Sequence, residues 1–422
     1  MQTSLTPEIL NTRSGQRANE ILRKCVHCGF CTATCPTYQL LSDELDGPRG
    51  RIYLIKLMLE GQQADSETQS HLDRCLTCRS CETTCPSGVD YAELIDIGRH
   101  YIEQQNIRPL HQRAVRKLLG FLLPRSALNK PLFKFSSWLR PLLPAPIKQI
   151  TPIIRDAKRY KPVTATQHKT VLLLEGCVQS TLSPNTNAAA ESVLQALGYR
   201  VIRQQPASCC GAVNHHLAQA AQTAYWVLKN LRAWSEIDAG QPLHAIVSSA
   251  SGCGAMLHDY PTLLEQLPAE QLQNEQFEQI LGKIKDISEL FDAQTLLTNA
   301  PGYQSSSSPV AFHAPCTLTH SHRLSEHLHQ QLTTLGYALT IPHNAHLCCG
   351  SAGTYSLLQP VISKQLRNNK LNALQASAPE IIITANIGCE HHLNSAGQTP
   401  VIHWVELVAD DLELCRRQVP IG

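Results

Sequence analysis

Short apolar runs alternate with longer amphipathic stretches along the C-terminal part of the chain. Apolar residues fill positions 171–174, 245–247, 310–312 and 381–383. Helix-compatible stretches lie between these runs, for example at residues 187–197, 215–234 and 359–375. Short buried strands that alternate with helices are typical of α/β units built on parallel sheets. The pattern therefore predicts α/β structure from about residue 169 onward.

The N-terminal part has a different pattern, in which helical spacing dominates and little is typical of strands. Residues 7–24 have a helix-compatible composition. Further on, residues 48–60 place Ile52, Ile55, Leu57 and Leu59 on one helical face, and Gly61 follows as a stop signal. We therefore predict a helical domain over residues 1–105.

Two cysteine runs of identical spacing, C-x2-C-x2-C-x3-C-P, lie within this helical domain. The spacing is that of bacterial-type ferredoxins, in which three cysteines of a run wrap one cluster and the fourth reaches the neighbouring cluster. By that rule, we expect one [4Fe–4S] cluster on Cys25, Cys28, Cys31 and Cys85, and a second on Cys75, Cys78, Cys81 and Cys35.

The alternative for these runs is zinc, because groups of four thiolates also bind that ion. Zinc motifs rarely space three cysteines in this way with a fourth before proline, and here the arrangement occurs twice. Two clusters in close succession are typical of electron transfer. The runs therefore predict a relay of electrons.

The cysteines of the C-terminal part repeat over a much longer period. Cys177 and Cys316 are 139 residues apart, as are Cys209 and Cys348, while Cys253 and Cys389 are 136 apart. The two sets are Cys177, Cys209, Cys210 and Cys253, then Cys316, Cys348, Cys349 and Cys389. We predict a duplicated domain over 169–300 and 309–422, joined by a linker rich in proline and serine. Cysteines just past strand ends lie where α/β sheets place their sites.

The C…CCG…C arrangement resembles the cysteine-rich CCG domain. In heterodisulfide reductases a fuller form ends in C-x-x-C, where this chain has Met256 and His392, so each half offers four cysteines. The resemblance implies iron–sulfur binding at these cysteines. Four thiolates would also suit zinc, and an unmetallated or disulfide-capable pocket is a further alternative. Adjacent cysteines strain when bridged, which disfavours a disulfide within either Cys-Cys pair.

Residues 106–168 form a basic connector between the two parts. No acidic residue occurs from Gln104 to Arg155. The basic residues are Arg108, Arg113, Arg116, Lys117, Arg125, Lys130, Lys134, Arg140, Lys148 and Arg155. Apolar residues lie among them and prolines interrupt them, which predicts short amphipathic pieces on a surface, either an anionic membrane or a partner subunit. The alternative is a linker whose apolar residues pack on the neighbouring domain.

Composition and charge narrow the class of protein. The 422 residues suffice for about three domains of roughly 150 residues. A net charge of +2 gives no electrostatic argument for a nucleic-acid partner. The 17 cysteines favour metal ligation, since disulfide scaffolds are short and secreted. Without an export signal or an apolar run of about 20 residues, we expect a cytoplasmic protein, peripheral on the inner face of the membrane.

Histidines are clustered in the C-terminal part, at His215, His216, His313, His343, His346, His391 and His392. We expect most of them to be exposed or to have partners in the core, and a minority to lie near a metal or a quinone. Cys415 lies outside both cysteine sets on a predicted C-terminal helix, and we assign it no role.

Two ferredoxin motifs followed by two CCG domains resemble the iron–sulfur subunits of membrane-linked flavin dehydrogenases. Residues 23–38 and 43–53 resemble those of bacterial glycolate oxidase, and residues 175–179 and 386–389 fit that family as well. The resemblance implies FAD-containing partner subunits that oxidise glycolate to glyoxylate, and a membrane quinone as the acceptor. This chain would then be the electron-transfer subunit, without catalytic residues, and it has no G-x-G-x-x-G fingerprint after a strand.

Three alternatives remain at this point. The chain could serve a related D-lactate or anaerobic glycerol-3-phosphate dehydrogenase. The CCG domains could form a thiol–disulfide reductase, although that would require the fuller cysteine motif. The chain could also be a structural zinc protein without redox chemistry.

Overall fold

The computed structural model describes residues 1–144, 151, 154, 157–160, 169–204, 208–267 and 274–418. Within them a helical domain, a helical connector and two α/β units follow one another, which confirms the predicted fold class. Much of the second half of the connector, including Lys148 and Arg155, lies outside the described residues.

The N-terminal domain is built from short helices around the two cysteine runs. The helices are α1 (Pro7–Leu10), α2 (Arg13–Lys24), α3 (Pro36–Leu41), α4 (Pro48–Leu59), α5 (Ser66–Asp73), α6 (Ser80–Thr84) and α7 (Tyr91–Gln104). The predicted helix 7–24 is divided in two because Thr12 caps α2, its side chain accepting a hydrogen bond from the Gly15 amide. In α4, Ile52, Ile55 and Leu59 of the predicted face are buried together with Met58, whereas Leu57 is half-buried.

The connector contains two helices, α8 (Leu110–Leu122) and α9 (Ser126–Leu139). Side chains of the first α/β unit hold α8 by its backbone, since Gln219 Nε2 donates to the Arg116 carbonyl at 3.0 Å and Asn214 Nδ2 donates to the Gly120 carbonyl at 2.9 Å. A Cβ at Gly120 would lie 2.1 Å from Gln219 Oε1, so a larger residue there would have to displace the Gln219 side chain. The amphipathic pieces predicted for the connector are therefore helices, and the first of them, α8, packs against the first α/β unit.

Each α/β unit contains a four-stranded parallel sheet. The strands are β1 (Lys169–Leu174), β2 (Tyr199–Arg203), β3 (Ala245–Ser248) and β4 (Ile284–Asp286), then β5 (Val310–His313), β6 (Leu339–Thr340), β7 (Ile381–Thr384) and β8 (Val401–His403). The strand orders, β2-β1-β3-β4 and β6-β5-β7-β8, are equivalent, so the duplication predicted from the cysteines extends to the topology. The hydrophobic pattern predicts the central strands. It misses the four outer strands: β2 and β6 contain no buried residue, and β4 and β8 are only three residues long.

Helices cover both sheets. In the first unit they are Gln179–Leu182, Pro184–Ala196, Ala212–His216, Ala220–Gly240, Ser251–His258, Tyr260–Leu264, Asn274–Leu281, Ile287–Leu290 and Ala293–Asn299. In the second they are a π-helical turn at Thr317–His322, then Ser325–Thr334, Tyr355–Leu358, Pro360–Gln375, Ile387–Asn394 and Trp404–Gln418. The predicted helix 215–234 is two helices, whose junction includes Ala218 in a left-handed conformation.

The two α/β units share one hydrophobic core. The Trp404 ring packs edge-on against Phe291 at a centroid distance of 4.7 Å, and residues of both sheets belong to the same buried cluster. At this interface Asn185 Nδ2 donates to Glu406 Oε2 at 2.8 Å. The two halves therefore pack as one body, against which the N-terminal domain docks.

Candidate iron–sulfur sites

The first three cysteines of the first run line a cavity together with Cys81 and Cys85 of the second run. Cys25, Cys28, Cys31 and Cys85 all face this cavity. Burial raises the pKa of Cys31 to about 11, and the nearby thiols of Cys25, Cys85 and Cys28 contribute. The structure thus brings Cys85 to the first run, as the ferredoxin rule requires.

The second run gathers around Cys35 in the same way. Burial raises the pKa of Cys81, and so do the neighbouring thiols of Cys78, Cys75 and Cys35. The Thr77 amide donates to Cys75 Sγ at 3.4 Å, and the Tyr91 hydroxyl donates to the same sulfur at 3.6 Å. In each of the two groups, the four thiols therefore lie close enough together to bind one cluster.

The two loops have the same backbone conformation. His27 and Thr77 occupy equivalent positions with φ of 57° and 51°, and Gly29 and Arg79 are equivalent with φ of 83° and 62°. Left-handed conformations are costly for residues other than glycine, above all for a β-branched threonine. Strain repeated at equivalent positions indicates that each loop is shaped around its site.

The thiol chemistry fits iron–sulfur clusters. All 17 cysteines are free thiols, so disulfides do not compete for them. Convergent cysteine thiols in a partly apolar setting are the donor set of a cubane cluster. A buried support surrounds the second run, where Arg99 donates to the Cys75 carbonyl at 2.6 Å and the Asp46 carbonyl accepts from Thr37 at 2.7 Å.

The four cysteines of the first CCG domain also converge. The Cys209 thiol contacts those of Cys177 and Cys210, and Cys210 contacts Cys253. The Gly211 amide donates to Cys209 Sγ at 3.3 Å, with a φ of 92°. This left-handed turn explains the glycine after the two cysteines, because the conformation is strained for other residues.

The second CCG domain repeats this geometry. Cys316 Sγ lies 3.9 Å from Cys348 Sγ, and Cys349 Sγ lies 3.4 Å from Cys389 Sγ. Gly350 has a φ of +88°, and a Cβ there would lie 2.7 Å from the Ser363 carbonyl oxygen. Both glycines are thus required by conformation, and the second also by contact.

Met256 and His392, which stand where the fuller motif has its last cysteine, have other contacts. Met256 is buried in the core of the first domain, beside Leu257 and Tyr260. His392 Nε2 lies 3.1 Å from Ser363 Oγ, and burial lowers the pKa of the ring to about 4. The structure therefore gives each CCG site four cysteines, as the sequence indicated.

The second ferredoxin run lies beside the second CCG site. Cys78 packs into the same apolar cluster as Cys316 and Cys348. Burial raises the pKa of Cys78, and the Cys316 thiol raises it further. Tyr355 secures this contact by donating from its hydroxyl to the Arg74 carbonyl at 3.1 Å. Sequence reasoning missed this contact, because the two segments are far apart along the chain.

The two ferredoxin runs differ in how they are covered. Around the first, Cys28 is exposed, and the neighbouring Val26 and Phe30 are 67% and 60% exposed. The second is covered by both α/β units, since Arg79 pairs with Asp259 and Thr83 Oγ1 lies 2.9 Å from His320 Nδ1. One site faces solvent and the other faces the CCG domains.

The histidines singled out in the sequence have different surroundings. His215 Nε2 lies 2.9 Å from Asp96 Oδ2 of α7, and burial lowers the pKa of the adjacent His216 to about 4. His343 is exposed and His346 half-buried. His391 Nε2 lies 3.1 Å from Ser183 Oγ. His313 is buried beside Cys349 and Cys389.

Family models cover most of the sites described above. The 4Fe-4S dicluster domain matches residues 21–89, and the cysteine-rich domain matches residues 171–258 and 310–394. These matches include every cysteine of the four groups.

Relatives of known name resemble the whole chain. The glycolate oxidase iron-sulfur subunit of Escherichia coli (strain K12) is 48% identical over 415 residues, covering 98% of this chain and 100% of the relative. The probable glycolate oxidase iron-sulfur subunit of Bacillus subtilis (strain 168) is 30% identical over 403 residues, covering 87% of each chain. Lactate utilization protein A of Bacillus pumilus (strain SAFR-032) is 28% identical over 225 residues, covering 52% of this chain and 88% of the relative.

Proposed function

The chain belongs to the family of glycolate oxidase iron–sulfur subunits, and from that premise we propose that it relays electrons within a glycolate oxidase complex. An FAD-containing partner would oxidise glycolate to glyoxylate, and a membrane quinone would accept the electrons. One observation carries the relay: the thiols of Cys78, Cys316 and Cys348 share an apolar cluster, so the ferredoxin sites lead to a CCG site.

We propose the crossed sets as the cluster ligands. Cys25, Cys28, Cys31 and Cys85 would hold one [4Fe–4S] cluster, and Cys75, Cys78, Cys81 and Cys35 the other. Bound clusters supply one-electron chemistry, which lets a flavin release its two electrons singly. The chain itself holds the ligands in fixed loops, and it shields the second site from water with the two α/β units.

The electrons would enter at the exposed first run. Electron transfer weakens steeply with distance, so an entry site must lie near the docking surface of its donor. Val26, Phe30 and Tyr53 expose apolar surface near Cys28, and an exposed apolar patch is typical of an interaction surface. We infer that the flavoprotein partner docks on this patch.

The connector would bind the membrane surface. Helices α8 and α9 and the turn after them expose a row of large apolar side chains: Leu110, Val115, Leu118, Phe121, Leu128, Leu132, Phe135, Trp138 and Leu142. Lys130 and Lys134 are exposed among them. Apolar and basic side chains together suit an anionic lipid surface, where the helix lies in the interface. Among the described helices, none has the length and apolar character to cross a bilayer.

The function is tested by the substrate that reduces the protein. The complex purified with its flavoprotein partner is mixed anaerobically with glycolate, D-lactate or glycerol 3-phosphate, and cluster reduction is followed by absorbance and EPR. We expect glycolate to reduce the clusters and added quinone to reoxidise them. Reduction by D-lactate or glycerol 3-phosphate alone would assign the chain to one of the related dehydrogenases.

A further inference from the structure

A buried histidine at the second CCG site has no evident structural partner. His313 is the last residue of β5 and is 1% exposed. Neither of its ring nitrogens has a hydrogen-bond partner within the described part of the chain. By contrast, the buried His403 has the Ser249 carbonyl at 2.8 Å from Nε2. Buried polar groups are nearly always paired, so the exception at His313 requires an explanation.

The ring of His313 lies against two buried thiols. A ring nitrogen of His313, Cys349 Sγ and Cys389 Sγ all lie within 4.8 Å of one another, and the two sulfurs are 3.4 Å apart. Imidazole nitrogen and thiolate sulfur are both ligands of soft and borderline transition metals. A metal centre at this point would give the unpaired imidazole a partner.

The first CCG domain lacks this histidine. His313 lies three residues before Cys316, and the residue three before Cys177 is Leu174, which likewise ends its strand. Both copies of the domain thus keep their cysteines. At the position compared here, however, the first copy has a leucine and the second has a histidine, which can bind a metal.

A buried cation is a second difference between the copies. Lys370 is buried near all four cysteines of the second set, and its ammonium group donates to the Asn344 carbonyl at 2.9 Å. At the same offset of 139 residues the first domain has the buried Leu231. A cation beside thiols balances the negative charge that thiolate ligands bring. Within the described residues, the second site thus combines a buried imidazole with a buried cation, which suits an anionic metal centre.

We propose that His313 is a ligand, with Cys349 and Cys389, of an iron–sulfur centre in the second CCG domain, whereas the first CCG domain has Leu174 at the equivalent position. We infer iron and not zinc because Cys316 and Cys348 of the same site adjoin Cys78 of the ferredoxin relay. On ligation to a delivered iron–sulfur cluster, the Cys349 and Cys389 thiols each exchange a proton for a bond to iron. The imidazole binds through a ring-nitrogen lone pair and loses no proton.

A neutral imidazole in place of a thiolate leaves the centre less negative and raises its reduction potential. The second CCG site would then be more oxidising than an all-thiolate centre, which suits a late position in the relay. This inference rests on the proposed relay, which supplies the reason for iron at this site.

Pulsed EPR of the full-length reduced protein tests the inference directly. Wild-type protein is prepared with natural histidine and with histidine labelled with nitrogen-15. We expect a strong nitrogen coupling whose pattern changes with the label, because nitrogen is bound to iron. Wild-type protein that contains iron at the second CCG site but shows no label-dependent coupling would overturn the proposal. This comparison uses only wild-type protein, so its result does not depend on whether a variant folds.

Variants then assign the nitrogen to one residue. His313→Leu, which copies the first domain, is expected to lose the coupling, and His313→Cys to lose it while the potential of the centre falls. His320→Asn is the matched control, since the His320 ring is bound to Thr83 and to the His346 carbonyl, and it should retain the coupling. A coupling that survives in both His313 variants, or zinc in place of iron at this site, would overturn the proposal. A protein without any iron would instead contradict the proposed function.

Discussion

At the scale of single residues, Cys78 has the most consequential position in the molecule. It belongs to the second ferredoxin run, yet it packs against Cys316 and Cys348 of the second CCG site. Its neighbour Arg79 pairs with Asp259 of the first CCG domain and donates to Ser321 of the second. A single turn of the ferredoxin domain thus contacts both α/β units.

We predict that Cys78→Ser stops electron flow beyond the flavin. Because a hydroxyl is a poor replacement for a thiolate ligand, glycolate-driven quinone reduction should fall to background while flavin reduction in the partner proceeds. Stopped-flow absorbance at flavin wavelengths and a quinone assay measure the two steps. Cys415→Ser is the control and should leave both rates unchanged. Quinone reduction at the normal rate in Cys78→Ser would show that electrons bypass this site.

The glycine of each CCG motif gives a second prediction at this scale. Gly350→Ala should destabilise the second domain, because a Cβ would lie 2.7 Å from the Ser363 carbonyl oxygen in addition to the strain of a φ of +88°. Gly353→Ala is the matched control, since Gly353 has a φ of +60° with open space around it. The control should lose only the conformational term of about 1–2 kcal/mol, and Gly350→Ala should lose more. Equal losses in urea unfolding would contradict the role of the contact.

At the scale of elements, the connector helices pack against the first CCG domain on one side and expose apolar side chains to solvent on the other. Asn129 of α9 is buried and donates to the Cys177 carbonyl at 3.1 Å, which ties this helix to the first CCG site. Trp138, near the end of the same helix, is 73% exposed. The connector therefore holds an apolar and basic surface in a fixed position relative to the sites.

We predict that reversing three connector charges abolishes binding to anionic membranes. Each basic residue near an anionic membrane contributes about 1 kcal/mol of binding free energy, so removing three of them weakens membrane binding by more than about 100-fold. Reversing the charges adds repulsion from the lipids. The variant is Lys130→Glu, Lys134→Glu and Arg140→Glu, measured by flotation with anionic and with neutral vesicles. The control reverses three exposed residues elsewhere, Lys169, Arg200 and Arg323, and should still bind. Unchanged flotation of the connector variant, together with retained partner binding, would contradict membrane docking, whereas a loss of partner binding alone would assign this surface to a subunit.

The contact between α7 and the helix Ala212–His216 predicts a pH dependence. Burial opposes the charged forms of both Asp96 and His215, but the ion pair outweighs it, so the pKa of Asp96 lies below its usual 3.8 and that of His215 above its usual 6.5. The Asp96 contribution is present above pH 3.8 and is lost as the pH falls through the lowered pKa. The His215 contribution is present below pH 6.5 and is lost as the pH rises through the raised pKa.

Both contributions are therefore complete from about pH 4 to about pH 6.5. We predict that Asp96→Asn lowers the free energy of unfolding in this window by about 3–5 kcal/mol, the usual cost of breaking a buried pair. Anaerobic urea unfolding at several pH values measures it. The loss should shrink as the pH rises through the raised pKa of His215. A loss that is the same at all pH values would show that this pair does not titrate as proposed.

At the scale of the whole molecule, three sites follow one another from solvent into the protein. The first ferredoxin site is exposed at Cys28, the second is covered, and the second CCG site adjoins it. The first CCG site lies under the connector, through the contact between Asn129 and the Cys177 carbonyl. The duplicated domains therefore have different neighbours, which fits different roles for two similar sets of cysteines.

Much of this arrangement could be predicted from the sequence, because it follows from the spacing of cysteines and apolar residues along the chain. The cysteine runs predict the crossed groups, the apolar runs predict the central strands, and the repeat offset of 139 predicts the equivalent sheets. The proximity of Cys78 to Cys316 could not be predicted, since docking between distant segments leaves no periodic signal. The sequence did contain a signal for His313. A histidine at the end of a buried strand is unusual, and the equivalent position in the first copy is Leu174.

The most direct test of the relay is EPR of the complex reduced with glycolate, combined with analysis of iron and acid-labile sulfide. The account predicts iron and sulfide in this chain and signals of two interacting [4Fe–4S] clusters that appear with glycolate and disappear when quinone is added. A colourless chain that contains zinc and gives no signal with glycolate or dithionite would contradict it.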